Sequence, residues 1–417
     1  MAGNGEQDFR PTSEDHLAEV VAYAVAAGQP LELIGRGSKR GLGRAMQTAG
    51  KLDLSGFSGI SMHEPDELVM TAGPATPLAE IEAALDAERQ MLAFEPPHLG
   101  HLFTGSLRGD SPGGSIGGTF ACNLAGPRRF KAGSARDHLL GFRGVSGRGE
   151  IFKSGGRVVK NVTGYDLCKL MCGSFGTLAA LTEVTFKVLP RAEKVWTVLA
   201  FGLTADQAVR AMADAAGSPH DVTGLCHLPR DVAARSSVDF VAGAGTSVTA
   251  IRVEGPAPSV AHRAGQLKLA LASAQGVEEL HTHRSLAFWR EVRDVSPLLD
   301  GPTASQSPLW RLSVVPMDGA RTMDTILRQV PGQGLLDWAG GQLWLALEPG
   351  AEDGGVATIR AAMDGGHATL IRGAADLRAR IPVFQPQPAP LAAVTKRIKE
   401  GFDPKGILNP GRMVEGV

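Results

Sequence analysis

A glycine-rich loop, Gly105–Thr119, is the stretch whose residue types most clearly indicate chemistry. Glycine reaches backbone angles that other residues avoid, and it lets another group come close to the main chain. Successive backbone N–H groups can then converge on an anion such as a phosphate. A flexible linker would also be rich in glycine and serine, but the apolar run Thr119–Ala125 follows directly and predicts a short buried helix. The sequence therefore favours a loop that cradles a ligand.

A second glycine loop, Gly35–Gly41, carries the cations Arg36, Lys39 and Arg40. Together with Pro112–Gly118 it predicts a pyrophosphate that is held from two sides by backbone amides and helix N-termini. The three cations would neutralise the remaining charge, although each could equally be a solvated surface residue. Neither loop has the spacing of a Rossmann turn or of a phosphate-binding P-loop, so those two kinds of nucleotide site are disfavoured.

A third glycine-containing segment, Gly155–Thr177, ends in the small residues Gly173–Thr177 just before a predicted buried strand. Backbone that lies against a flat aromatic ligand needs small residues of this kind. A tight packing turn is the alternative interpretation of Gly173–Thr177 taken alone.

The totals for the whole chain limit the possible functions. A length of 417 residues predicts at least two domains, and a net charge of −1 gives no electrostatic reason to expect nucleic acid or an anionic membrane as a partner. No long apolar run and no secretory signal are recognisable. The four cysteines lack a close CxxC pair, which favours buried thiols, no iron–sulfur cluster and a cytoplasmic location. Cys168 and Cys172 could share a helix face, and His281 and His283 could share a strand face, as metal ligands, but both pairs lack further ligands.

Periodicity and turn residues position the loops within elements. We expect a capped helix over 11–28, a hairpin over 136–152 with its turn at 146–149, and a long strand over 177–189. The composition changes after Pro190. All five tryptophans lie beyond it, whereas the glycine loops Gly35–Gly41 and Gly105–Thr119 lie before it. Beyond Pro190, two weakly similar strand–helix–strand–strand–helix–strand patterns predict an antiparallel sheet with helices on one face.

The three glycine segments, in this order, resemble flavoproteins of the vanillyl-alcohol oxidase/PCMH type. Within that group, Gly155–Leu167, Gly366–Leu370 and the tail Phe402–Met413 are similar to the FAD-binding E subunits of glycolate oxidase, also called glycolate dehydrogenase. The resemblance is strongest between Ser106 and Pro190 and in the tail.

This resemblance implies an α+β fold in three parts. Residues 1–190 would form a PCMH-type FAD-binding domain of two α+β subdomains, and residues 191–380 an α+β cap domain with an antiparallel sheet in ferredoxin-like halves. Residues 381–417 would return to the FAD domain.

The resemblance also implies which residues contact FAD. Some relatives carry a histidine that bonds covalently to the flavin, and the corresponding position here is Ser38, so we expect noncovalent FAD. The implied contacts come from the first loop, the second loop and the third segment with the strand after it: Gly35, Arg36, Gly37, Ser38 and Lys39; Pro112, Gly113, Gly114, Ser115, Gly117 and Gly118; Gly173, Ser174, Gly176, Thr177 and the main chain at Leu181.

A flavin that oxidises a 2-hydroxy acid needs a base for the hydroxyl proton and a cation for the carboxylate. Arginine suits a carboxylate because its planar fork binds both oxygens. Arg290, Arg293 and Arg311 are candidates, and Arg311 is preferred, although an arginine with its stem on an aromatic ring is the plainer interpretation. The His-x-Gly-x-Gly-Asn-x-x-His-like motif of related subunits is missing here, and Gly365-Gly-His367 is its nearest remnant. His367 is therefore the candidate base, although a core or surface histidine is the plainer interpretation.

Two functional hypotheses follow. In the first, the chain is one flavin subunit of a multi-subunit glycolate dehydrogenase and works beside a second flavoprotein and an iron–sulfur subunit, associated with the membrane only peripherally. In the second, it holds FAD as a structural or electron-transfer partner without turnover of its own. A stand-alone dehydrogenase for another 2-hydroxy acid, such as D-lactate, is a third possibility.

Overall fold

The computed structural model describes residues 7–104, 113–156, 164–299, 307–350 and 352–417. Its internal contacts divide the chain into two compact units. Unit 1 comprises Met1–Leu124, Gly133–Pro190 and Pro382–Val417, and unit 2 comprises Ala125–Ala132 and Arg191–Ile381. The roles that the resemblance implies for residues 1–190, 191–380 and 381–417 stay predictions.

Most strands and helices up to residue 190 are short. They are β1 (Gln7–Phe9), α1 (Glu14–Ala27), β2 (Leu31–Ile34), β3 (Gly50–Asp53), β4 (Ile60–Glu64), β5 (Val69–Ala72), α2 (Leu78–Ala87), β6 (Gln90–Met91), α3 (His101–Thr104), α4 (Ile116–Ala121), α5 (Arg129–Ala132), α6 (Ala135–His138), β7 (Leu139–Ser146), β8 (Ile151–Gly155), α7 (Leu167–Met171), β9 (Ala179–Lys187) and β10 (Leu189–Pro190).

The elements after residue 190 include longer helices. They are β11 (Lys194–Phe201), α8 (Ala205–Gly217), β12 (Val222–Leu228), α9 (Arg230–Ala233), α10 (Asp239–Ala242), β13 (Val248–Gly255), α11 (Ala257–Ala270), β14 (Gly276–Leu280), α12 (Thr282–Asp294), β15 (Leu309–Ser313), α13 (Gly319–Leu327), β16 (Gly332–Asp337), β17 (Gln342–Leu347), α14 (Val356–Ala361), β18 (His367–Arg372), α15 (Ala375–Arg380) and α16 (Ala389–Phe402).

Helix α1 forms where the sequence predicts it. The Ser13 hydroxyl accepts a hydrogen bond from the backbone N–H of His16, and Gly28 ends the helix with φ of 61°. Its buried residues recur at helical spacing and pack against β2, β3 and the C-terminal tail; they are Leu17, Val20, Val21 and Ala24. Helix and strands therefore share one apolar core.

Unit 1 contains two larger sheets of different kinds. A parallel sheet has the order β1-β3-β2, and an antiparallel sheet has the order β4-β5-β9-β7-β8. The predicted hairpin is confirmed by the pairing of β7 with β8, although residues 135–138 form α6 rather than the start of the strand. The predicted long strand is β9, whose neighbours are β5 and β7.

The C-terminal tail returns to unit 1, as expected. The backbone N–H of Leu31 donates to the carbonyl of Ile407 at 2.7 Å, and Leu31 forms a parallel bridge with Leu408. The tail thereby extends the hydrogen bonding of β2, although α16 and β2 are separated by most of the sequence.

Unit 2 is built on an antiparallel sheet of the order β14-β11-β13-β12-β16-β17-β15-β18. Two series of its elements, β11 to β14 and β15 to β18, each run in the order strand–helix–strand–strand–helix–strand when the short helices α9 and α10 are set aside. Helix α12 lies between the two series, and α15 follows the second. One detail of the sequence analysis is wrong. His281 and His283 do not share a strand, because His281 caps α12 and stacks on Trp196 with ring centroids 4.1 Å apart.

Candidate functional site

A pocket in unit 1 brings together the segments that the sequence analysis singles out. The cavity has a volume of about 110 Å³. Of the residues expected to contact FAD, those lining the pocket are Gly35, Arg36, Gly37, Ser38, Lys39, Ser115, Gly117, Gly118, Gly176 and Leu181.

Other expected contact residues lie beside the pocket or away from its lining. A Cβ on Gly114 would stand 2.8 Å from Lys39 Nζ, whereas Gly113 is exposed. Pro112 lies outside the described residues. The remaining three form the turn that carries the pocket wall, where Thr177 Oγ1 donates to the carbonyl of Ser174; they are Gly173, Ser174 and Thr177.

The two glycines of α4 serve different purposes. A Cβ on Gly117 would stand 2.3 Å from Pro74 Cβ, so glycine is needed there for packing within the protein. A Cβ on Gly118 would stand 3.3 Å from Ser115 Oγ and 3.6 Å from Lys39 Nζ, beside the pocket. Close approach of a ligand to the backbone is thus an explanation for Gly118, while Gly117 permits α4 to lie against Pro74.

The C-terminal tail supplies pocket residues that the sequence analysis missed. Asn409 Oδ1 accepts a hydrogen bond from the N–H of Leu33 at 2.8 Å, and its Nδ2 donates to the carbonyl of Phe175 at 2.8 Å. Arg412 Nη2 donates to the carbonyl of Lys39 at 2.7 Å. The only local signal was the turn-rich composition of the tail, which says nothing about where its side chains point.

Two buried cations give the pocket its electrostatic character. Lys39 is 8% exposed and Arg412 is 6% exposed, and neither forms an ion pair with a carboxylate of the described residues. Burial lowers the pKa of both side chains, and the charge of Arg412 lowers the pKa of Lys39 further. Arg412 Nε is buried and, within the part of the chain that the structure describes, has no hydrogen-bond partner. Buried charges are costly unless they are paired, so this arrangement favours a bound anion.

The other cations of the first loop have different surroundings. Arg40 Nε and Nη2 donate to the two carboxylate oxygens of Glu32 at 2.9 and 2.6 Å. Arg36 is exposed. The positive charge that is available to a ligand deep in the pocket therefore comes from Lys39 and Arg412.

The cysteines behave as buried side chains. All four keep free thiols. Burial raises the pKa of Cys168 to about 11 and raises that of Cys172 further, which disfavours the thiolate that a metal ligand or redox thiol requires. No group of three or more metal-ligating side chains occurs among the described residues.

The candidate catalytic residues lie in unit 2 and share one sheet face. On the neighbouring strands β15 and β18, Arg311 lies opposite Thr369, and Ser313 lies opposite His367. Arg311 and His367 are therefore diagonal neighbours on that face. The opposite face, on which Trp310 lies, is the one that contacts α13. His367 is exposed at the start of the edge strand β18, and Arg311 is half-buried. Their catalytic roles stay predictions.

None of the helices in the described ranges is both long and apolar enough to cross a bilayer.

Comparisons with known proteins agree with this architecture. A model of the FAD binding domain matches residues 6–155. The glycolate oxidase subunit GlcE of Escherichia coli is 37% identical over 398 residues, which span 95% of this chain and 96% of that protein. The glycolate oxidase subunit GlcD of Bacillus subtilis is 39% identical over 100 residues, 24% of this chain and 21% of that protein.

Among solved structures, the 4-ethylphenol oxidase of Gulosibacter chungangensis superposes with a TM-score of 0.72 at 14% identity. The superposition covers 100% of this chain and 91% of that one, and it confirms the predicted α+β, PCMH-type fold. The FAD binding domain match confirms FAD as the cofactor. Because the similarity to GlcE runs over nearly the whole of both chains, this chain belongs to the family of the glycolate oxidase subunit GlcE.

Proposed function

We propose that this chain is the FAD-binding subunit of a multi-subunit glycolate oxidase, or dehydrogenase, that oxidises glycolate to glyoxylate. The family membership supports the reaction class, and the pocket in unit 1 supports the cofactor site. The observation that carries the proposal is the buried pair Lys39 and Arg412, two cations that face one pocket without a carboxylate partner among the described residues.

The diphosphate of FAD fits this pair. It carries negative charge on several oxygens, and both an ammonium and a guanidinium bind phosphate through charge-assisted hydrogen bonds. Arg412 Nε, which is buried and unpartnered within the described chain, would then obtain an acceptor. Ser38 and Ser115 lie beside the same space and offer hydroxyl donors.

The flavin ring would lie along the wall formed by β9 and the turn before it. Gly176, Ala179 and Leu181 line that part of the pocket. Phe175 has a φ of 55°, and its carbonyl accepts a hydrogen bond from Asn409 Nδ2. No histidine lines the pocket within the described residues, which supports noncovalent binding at the position of Ser38. Acid precipitation of the holoprotein should release all of its FAD into the supernatant, and flavin that stays with the pellet would contradict noncovalent binding.

When bound, FAD supplies a hydride acceptor, so the 2-hydroxy acid loses a hydride from C2 and a proton from its hydroxyl group. Arg311 is the proposed partner of the substrate carboxylate, and His367 is the proposed base for the hydroxyl proton. Their shared sheet face and neighbouring strands are what support these assignments. Both are tested by replacing Arg311 with Gln or His367 with Gln and measuring glycolate-dependent activity of the assembled complex.

The name of the relative, a subunit, supports a heteromeric assembly. We propose a second flavoprotein and an iron–sulfur subunit as the partners, with electrons passing to the latter, and a cytoplasmic location with peripheral membrane association at most. Co-purification of the tagged chain with these partners tests the assembly.

An absorption spectrum of the purified chain, before and after anaerobic addition of glycolate, tests the proposed function. Flavin bands that bleach would demonstrate a self-sufficient active site. Flavin bands that stay oxidised with glycolate and with D-lactate would indicate an FAD-holding partner without turnover of its own. A chain that takes up no flavin after incubation with FAD would refute the cofactor site.

A further inference from the structure

A buried ion pair outside the pocket, Lys399 and Asp403, holds the C-terminal tail in place. Lys399 Nζ donates to Asp403 Oδ2 at 2.6 Å, to the carbonyl of Thr177 at 2.7 Å and to the carbonyl of Leu408 at 3.0 Å. The two side chains are 4% and 0% exposed. All three N–H donors of the ammonium group are therefore used, and they join α16, the turn before β9 and the tail.

The carboxylate of Asp403 fixes the tail as well. Its Oδ1 accepts from the N–H of Ile407 at 2.9 Å, and its Oδ2 accepts from the N–H of Leu408 at 2.8 Å. The next residue, Asn409, donates its N–H to the carbonyl of Leu31 at 3.0 Å. The backbone of the tail is thus held at three consecutive residues before it reaches the pocket.

What the tail brings to the pocket is Asn409 and, three residues later, Arg412. Lys399 and Asp403 do not line the pocket, so any effect they have on a ligand must act through these residues. Arg412 is further held by its own carbonyl, which accepts from the N–H of Arg44 at 2.9 Å.

Holding Arg412 beside Lys39 is unfavourable until an anion binds. Both side chains are buried, and like charges repel strongly where water is excluded. The tail would relieve this repulsion by moving away, unless other contacts hold it. The hydrogen-bonded pair Lys399–Asp403 is such a contact, and it lies at the C-terminal end of α16, where the tail begins.

We propose that Lys399 and Asp403 are positioning residues for the cofactor's diphosphate: their ion pair keeps the tail in a position where Arg412 meets the anion together with Lys39. This inference rests on the FAD site of the proposed function. A preorganised site avoids the cost of ordering its groups when the ligand binds, so loosening the tail lowers the affinity for FAD.

The test is a double-mutant cycle on the dissociation constant of FAD, measured by titrating FAD into the full-length chain after removal of its flavin. The variants are Asp403→Asn, Arg412→Gln and the two combined. In the wild-type background, Asp403→Asn should raise the dissociation constant about tenfold or more, the factor that corresponds to one charge-assisted hydrogen bond. In the Arg412→Gln background, the same change should raise it less than about threefold.

Asp376→Asn is the matched control, because Asp376 pairs with Arg380 at the same spacing of four residues but on the surface. It should leave the dissociation constant unchanged. Where Asp403→Asn does not yield folded protein, Lys399→Gln, which retains two N–H donors, takes its place in the cycle. Additive effects of the tail and Arg412 substitutions would overturn the inference, since a general loss of stability acts in either background. A wild-type chain that binds no FAD would instead refute the proposed function.

Discussion

Replacing Arg412 with Gln should weaken FAD binding far more than it weakens the fold. The substitution removes one of the two buried cations of the pocket together with the hydrogen bond from Nη2 to the carbonyl of Lys39. A hydrogen bond to a charged group contributes about 1.5–3 kcal/mol. If Arg412 binds the diphosphate as proposed, the dissociation constant for FAD should rise roughly 10- to 150-fold.

The assay is a fluorescence titration of the flavin-free chain with FAD, alongside a thermal unfolding curve of each flavin-free variant. Arg397→Gln is the matched control, because Arg397 is exposed on α16 and does not line the pocket. Riboflavin, which has no phosphate, provides a second control and should bind the wild type and Arg412→Gln equally. An FAD affinity that is equal in Arg412→Gln and Arg397→Gln would refute the assignment of Arg412 to the anion site.

Three further predictions concern stability and are each measured by urea or thermal unfolding. Gly117→Ala should destabilise the flavin-free chain by about 1–3 kcal/mol, because its Cβ would overlap Pro74, whereas Gly118→Ala should cost less; equal losses would contradict this packing argument. Burial lowers the pKa of His227 to about 4, so on acidification the unfolded chain takes up a proton at this residue before the folded chain does. The free energy of unfolding should therefore fall by roughly 3 kcal/mol between about pH 6.5 and 4, and a His227→Gln variant should lack that pH dependence. Arg128→Met should lower the free energy of unfolding by about 3–5 kcal/mol, because Arg128 binds both carboxylate oxygens of the buried Glu254. Arg128 and Arg252 together hold the pKa of Glu254 near 2 against the effect of burial. An unchanged free energy of unfolding would mean that Arg252 alone stabilises the Glu254 carboxylate.

Local signals in the sequence sufficed for much of unit 1. The cap, spacing and terminal glycine of α1 are all encoded within residues 13–28, and the turn between β7 and β8 lies in its own glycine-rich tetrapeptide. Glycines at 35, 37 and 118 likewise indicated a ligand, because a backbone that lies open to a pocket needs them. Each of these features depends on residues that are close in sequence.

Features that depend on distant residues could not be predicted. Residues 125–132 group with unit 2, where Arg128 pairs with Glu254, 126 positions further along the chain. Nothing in the eight residues themselves indicates that partner. The approach of Arg412 to Lys39 spans 373 positions. The same limit applies at His281, which precedes the first residue of α12 instead of lying in a strand and stacks on Trp196, 85 positions earlier in the chain.

A comparison of Arg40 and Arg412, two of the arginines that line the pocket, shows how structural charge can be distinguished from ligand-binding charge. Arg40 donates from Nε and Nη2 to both carboxylate oxygens of Glu32, so its charge is neutralised whether or not a ligand is bound. Arg412 is buried, keeps Nε without a partner in the described chain, and donates only to a backbone carbonyl. Burying such a guanidinium costs free energy unless an anion arrives. Glu32 offsets this free-energy cost at Arg40, whereas no carboxylate of the described residues pairs with Arg412. This difference is expected where the C-terminal tail completes an anion site.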